Sequence, residues 1–319
     1  MSSDQPIVSL STCWCSRGYT DGYQLCADMA GLGFDWIELS HGVPITLAEG
    51  ILKAVEAGVV RISSVHNFCP LPPGVSQPAP NLFQPTGPKQ LERDMWFRHS
   101  SNTLDFAARV GAKRVIMHSG SCWFFLGPPD RKLEAYGANI PASERTADPK
   151  YNQLRDRAMK RIRRKARKTM ARLIESMSRL VPLAQERGVQ LCLENREDLK
   201  ELPLDDQWPA YLRALPDPTG ETVKYWHDTG HAQLKALMGV ATPEGLLAEN
   251  AERLSGFHLH DVSADGHDHQ PLGTGTVDFA LIRSYIRPGH ALILELSPRL
   301  DKEAILASHR FLKERLLPG

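Results

Sequence analysis

The sequence predicts a single closed parallel (β/α)8 barrel, the TIM-barrel class, across residues 1–319. Three observations lead there. Short β-branched runs alternate with longer helical patterns eight times, the runs are too apolar to leave a wet face, and several helical patterns stop at a glycine just ahead of the next run. An open doubly wound sheet is the rival architecture. It usually carries a glycine fingerprint after its first strand, where this chain has STCWCSRG. A chain of 319 residues buries a large core without disulfide or metal staples.

Taken in order, the strand candidates are IVSLS (7–11), FDWIELS (34–40), VRISSVH (60–66), KRVIMHS (113–119), VQLCLEN (189–195), TVKYWHD (222–228), GFHLHD (256–261) and ALILELS (291–297). The intervening helices include residues 91–112 before the fourth strand and 301–316 at the end. Gly33, Gly58, Gly111 and Gly188 suit C-terminal helix caps. Two stretches break the rhythm: the proline-rich residues 70–88 after strand three and residues 120–150 after strand four. Both read as long βα loops on the face where barrels place their chemistry. The fourth helix is long, about 151–187, with a buried stripe from Leu154 to Leu180 at helical spacing. Within it, residues 155–172 hold ten Lys/Arg against one Asp. That run reads as a solvated face, as a subunit contact in a homo-oligomer, or as an attractor near the mouth for a phosphorylated substrate, with Arg161 and Arg164 the residues to meet it.

Composition narrows the function. Balanced charge, 38 Lys+Arg against 37 Asp+Glu, argues against a surface built wholly for nucleic acid or membrane. No apolar run has the length of a membrane span, and no secretory leader pattern opens the chain. Six cysteines form no CxxC pair, as expected of reduced thiols in a cytoplasmic protein.

The chemistry lies at the strand ends. His66, His118, Glu194, Asp228, His258 and Glu295 sit at or near the ends of strands three to eight, His231 follows Asp228 at i+3, and His269 lies in the loop after strand seven. Positions 194, 228, 258 and 295 are separated by roughly one β–α unit each, so a barrel brings them to one mouth. Carboxylates and imidazoles gathered there need a cation among them, and a divalent metal is the economical one. Glu38, at the end of strand two, points to the same mouth as a substrate contact or a structural group. Trp123, in a mouth loop, is a candidate stacking platform. His260 alternates with His258, so it is expected to face away from the interior, and Asp261 is expected to orient an imidazole.

The ordered set VHNF (65–68), IMHSGS (116–121), LEN (193–195), HDTGH (227–231), HLHD (258–261), HQPLGTGTVDF (269–279) and LEL (294–296) resembles the xylose-isomerase-like barrel superfamily. That group includes the endonuclease IV-type enzymes (AP endonuclease family 2) and many sugar-phosphate isomerases and epimerases. The resemblance implies that Glu194, Asp228, His258 and Glu295 are metal ligands, that His66 and His118 join Glu194 around a second ion, and that His231 and His269 serve a third. The third ion's aspartate is replaced by His267, with Asp265 and Asp268 nearby, so that ion is in doubt unless His267 or a neighbouring aspartate substitutes. The mixed N/O shell suits Zn or Mn, two or three ions in all. Two mechanisms follow. The preferred one is a multinuclear hydrolase that turns a metal-activated hydroxide on a phosphoester or nucleotide-like small molecule. The alternative is a sugar or sugar-phosphate isomerase, epimerase or related keto-sugar enzyme, in which Glu194 and Glu295 shuttle a proton and His231 holds a substrate hydroxyl. The loops resemble no DNA-reading element, so DNA is not the expected partner. True xylose isomerase is set aside, because ENRED stands where that family places a catalytic lysine.

Overall fold

A computed structural model describes residues 5–317. Eight parallel strands close into a barrel in sequence order: β1 Ile7–Ser11, β2 Trp36–Leu39, β3 Arg61–His66, β4 Arg114–Met117, β5 Gln190–Glu194, β6 Val223–Asp228, β7 Leu254–Leu259 and β8 Ala291–Leu294. The helices outside them are α1 Gly22–Gly31, α2 Ala48–Glu56, α3 Gln90–Arg109, α4 Arg131–Gly137, α5 Pro149–Glu186, α6 Trp208–Ala214, α7 Thr229–Leu237, α8 Pro243–Asn250, α9 Phe279–Tyr285 and α10 Lys302–Phe311. The expected (β/α)8 class is thus what the chain forms. Gly33, Gly58, Gly111 and Gly188 all take positive φ, between +62° and +89°, which ends each helix without a Cβ clash.

The sequence-based strand limits miss at β7. That strand begins at Leu254, two residues before the expected start, and ends at Leu259. Gly256 looks like a strand opener but sits inside the ladder, paired with Ala291, because a Cβ there would meet the Trp226 ring. His260 and Asp261 therefore lie past the strand end, where alternation no longer decides which way a side chain points. The loop after β4 is also more ordered than an irregular insertion, since it contains α4 and a 3-10 segment, Ala142–Ala147.

Helix α5 is 38 residues, about 57 Å at 1.5 Å per residue. Asp148 caps it by accepting from the Tyr151 N–H at 2.7 Å, and Pro149 occupies its first turn. Ala158, Ile162, Ala166, Leu173, Met177 and Leu180 form its buried stripe, while Arg161 and Arg164 face solvent.

Inside the barrel, period-two alternation stacks two layers. Ile116, Cys192, Trp226 and Ile293 each stand two positions before His118, Glu194, Asp228 and Glu295, so they share the same inward face. With Ala291 and Ile7 they form an apolar plug beneath the polar layer.

Candidate metal centre

The plug ends where the carboxylates begin. The ligand atoms of Glu194, Asp228, His258 and Glu295 all lie within 4.8 Å of one another, and all four residues are buried. β6 and β7 pair Asp228 directly with His258, whose ring stands edge-on to Trp226 with centroids 5.2 Å apart. His258 Nδ1 faces Glu194 Oε1 at 2.6 Å, Glu295 Oε2 at 3.0 Å and Asp228 Oδ2 at 3.8 Å. Its other nitrogen, Nε2, lies 3.1 Å from Glu38 Oε2, the oxygen that also accepts from Ser64 Oγ at 2.7 Å. Glu38 is fully buried and anchors His258, the structural of the two roles expected of it, and it does not line the cavity above Glu295. A carboxylate fixing the far nitrogen turns the near one toward a cation.

Charge makes the same point. Burial alone would raise Glu194 and Glu295; the His258 charge overrides it and holds both well below the usual carboxylate range. Burial alone would lower His258, and Glu295, Glu38 and Glu194 lift it well above the ordinary imidazole value. Four carboxylates stand round one imidazolium in a buried place, more negative charge than that ring alone balances. A donor set of three carboxylates and one imidazole is suited to a divalent ion of the Mn, Zn, Co or Fe type.

One further set answers to the second ion. His66, His118 and Glu194 place ligand atoms within 4.8 Å of each other. His66 Nδ1 donates to the Asn67 carbonyl at 3.0 Å, which leaves the Nε2 lone pair facing Glu194 Oε2 at 3.9 Å. His118 Nε2 is 3.0 Å from that same oxygen, and burial followed by the Arg196 charge lowers His118 to about 3, so it is a neutral imidazole. The third set is not assembled as expected. Among the described residues, His231 and His269 fall into separate groups, Asp228–His231–His260 and His260–His269–Glu295, and their ring centroids are 6.4 Å apart. His267 is exposed and belongs to none of these groups.

His231 is held by its own helix start. Asp228 caps α7 by accepting from the His231 N–H at 2.7 Å, and His231 Nδ1 donates to the Asn195 carbonyl at 3.0 Å. Near it stands His260, which sequence reasoning had turned outward. Its Nδ1 accepts from the His269 N–H at 2.9 Å, so Nε2 carries the proton and donates to Asp228 Oδ2 at 3.0 Å. Both nitrogens are engaged; His260 positions Asp228 and is not itself free to ligate. His269 stacks on it at 4.2 Å with φ at +54°, a conformation a non-glycine residue keeps only when its surroundings enforce it. Asp261 orients no imidazole; its carboxylate accepts from the N–H groups of Val262, Gly275 and Val277, closing the loop after β7.

A cavity of about 820 Å³ opens beside Glu295, lined among others by Cys13, His41, His267, His269 and Arg299. His41, unmarked in the sequence, stands edge-on to His66 at 4.7 Å. Arg196 also went unrecognised: two positions after Glu194, it reaches Glu194, Glu197 and Glu201 together. The i, i+2 spacing to Glu194 was the available signal. Trp123 is 53% exposed and lines a separate loop cavity with Gln84, Thr86 and Lys200, which no residue of the metal sets shares. Arg161 and Arg164 do not line the mouth cavity either.

Residues 26–315 match the family described as the xylose isomerase-like TIM barrel. The chain belongs to that family. No match is found among curated proteins. Solved structures of the same shape include a D-tagatose 3-epimerase-like protein, with 15% identity, 97% of this chain and 96% of that one covered, and a TM-score of 0.66. A 3-keto-D-glucoside 4-epimerase from E. coli has 16% identity, 97% and 99% coverage and a TM-score of 0.67. A D-psicose 3-epimerase from Clostridium cellulolyticum H10 has 12% identity, 97% and 99% coverage and a TM-score of 0.65. These likenesses show a shared barrel fold over nearly the whole chain. No helix among the described residues is long and apolar enough to cross a membrane.

Proposed function

We propose that the chain is a divalent-metal-dependent sugar isomerase or epimerase that moves a proton at a carbon beside a keto group. The observation that carries this reading is the buried set of Glu194, Asp228, His258 and Glu295, of which Glu295 lines a cavity of about 820 Å³, room enough for a monosaccharide. A divalent ion held there supplies Lewis acidity toward adjacent sugar oxygens, which makes the intervening C–H more acidic.

The chain's own residues do the rest. Glu194 and Glu295 both reach His258 Nδ1, 2.6 and 3.0 Å away, and supply the two acid–base groups. One takes the proton from carbon, giving an enediolate, and the other returns a proton to the opposite face or to the neighbouring carbon. His231 holds a substrate hydroxyl, with its orientation fixed by Asn195 and Asp228. His260 and Glu38 keep Asp228 and His258 aimed at the centre. The neighbours named as sugar epimerases agree with this reading, whereas the phosphoester hydrolase, the first expectation from the sequence, finds no such support. Zn and Mn are the ions the donor set favours.

The test is to incubate protein loaded with Mn²⁺ or Zn²⁺ with D-tagatose, D-psicose, D-fructose and 3-keto-glucosides in D₂O. Solvent deuterium should enter beside the carbonyl of at least one, with epimer or isomer formed; Glu295→Gln should lower the rate about 10²–10⁴-fold. Turnover of a phosphodiester with no deuterium entering any sugar would overturn the reading.

A further inference from the structure

We infer that Arg196 is a built-in cation standing where a second metal ion would lie, so that this centre takes one divalent ion. The inference rests on the metal-dependent reading above and deepens it.

A second ion bound by His66, His118 and Glu194 needs Glu194 Oε2, the oxygen both imidazoles face at 3.9 and 3.0 Å. That oxygen already accepts from Arg196 Nη1 at 3.0 Å. Glu194 thus divides its two oxygens: Oε1 turns to His258 and the four-residue set, and Oε2 turns to the guanidinium. The guanidinium is tied down on its other edges, by Glu197 Oε2 to Nη2 at 2.8 Å and by Glu201 Oε1 to Nε at 3.3 Å. Its side chain is only 12% exposed. It cannot lose its proton, and swinging away would leave three carboxylates without their partner. Nη1 also lies 3.3 and 3.4 Å from the two ring nitrogens of His231, so the same charge stands over the third set. A divalent ion entering either place would meet a fixed positive charge at close range with little water between them. Arg196 is therefore a positioning residue. It holds Glu194 in its divided geometry and keeps the centre mononuclear, which favours proton transfer over the two-ion clamp of phosphoester hydrolysis.

The experiment counts ions. Metal-free wild-type protein is titrated with Mn²⁺ by calorimetry, the bound metal is measured by elemental analysis, and the Mn²⁺ electron paramagnetic resonance spectrum is recorded. Wild type should bind one ion per chain with the spectrum of an isolated ion, and Arg196→Lys should do the same. Arg196→Ala and Arg196→Gln should bind two, with the spectrum of a coupled pair, and adding His118→Ala should return the count to one. Two ions in wild type, or one in the folded Ala and Gln variants, overturns the role of Arg196 and leaves the four-residue centre standing. No ion in wild type overturns the metal-dependent reading and this inference with it. Should the Ala and Gln variants fail to fold, Arg196→Met, which keeps the apolar stem and removes the charge, is counted in their place, and one ion in it overturns the role of Arg196.

Discussion

Glu38 touches no substrate space, yet removing its charge should weaken metal binding. Its carboxylate is fully buried and spans His258 Nε2, at 3.1 and 3.2 Å, and Ser64 Oγ, at 2.7 Å. For His258 to offer Nδ1 as a lone pair, its proton must sit on Nε2, and Glu38 is the acceptor that keeps it there. Glu38→Gln preserves size and one acceptor oxygen but discards the charge. Loss of such a partner typically costs 10- to 100-fold in metal affinity, or about 1.4–2.8 kcal/mol. Glu38→Ala also empties buried volume, so it should reach the upper end and lower the melting temperature as well. Competition for Mn²⁺ against a chelating dye measures both. The sign with pH is also fixed: His258, raised above its ordinary value by Glu295, Glu38 and Glu194 against the effect of burial, is protonated in the metal-free chain. Metal uptake must release that proton, so affinity falls as pH falls, and Glu38→Gln should move that fall to lower pH. Dissociation constants within twofold of wild type for both variants would refute the reasoning.

Other outcomes follow from single contacts. A Cβ on residue 230 would fall on the His260 ring, so Gly230→Ala should push His260 off Asp228 and weaken Mn²⁺ binding about tenfold, measured by the same competition. Arg161→Gln with Arg164→Gln should leave the Michaelis constant for a ketose phosphate unchanged, since both side chains are exposed and neither lines the mouth; a rise of more than threefold at low salt would restore the helix as a substrate attractor. His309 stacks on Phe34 at 4.1 Å, and burial with the nearby Lys313 lowers it to about 4. The unfolded chain then binds the extra proton, so this contribution is full above about pH 6.5 and is lost as pH falls toward 4. His309→Phe should show a shallower loss of melting temperature across that window, and an identical slope would count against it.

The strand ends were legible because parallel strands deliver their last inward residue to one place. Glu194, Asp228, His258 and Glu295 therefore meet from positions about one β–α unit apart. Three features were not legible, for local reasons. Gly256 reads as punctuation, but here it makes room for Trp226, and the displaced β7 limits sent His260 the wrong way. Glu38 sits at the right strand end but serves a histidine 220 positions away, a pairing that only closure of β1 on β8 creates. Arg196 looks like one charge in the run ENRED until the loop after β5 folds Glu197 and Glu201 back on it. The basic run in α5 left three readings open, since a charge count on one helix does not say which way its side chains turn; Arg161 and Arg164 face solvent.

The apolar plug of Ile116, Cys192, Trp226, Ala291 and Ile293 has a kinetic consequence. With the barrel stopped from below, a reactant reaches the carboxylates only through the upper opening, and what it becomes must back out along the same path. Outgoing and incoming molecules cannot pass one another, so accumulated product should slow turnover as a competitive inhibitor, and opening a second exit would require hollowing the barrel through Trp226.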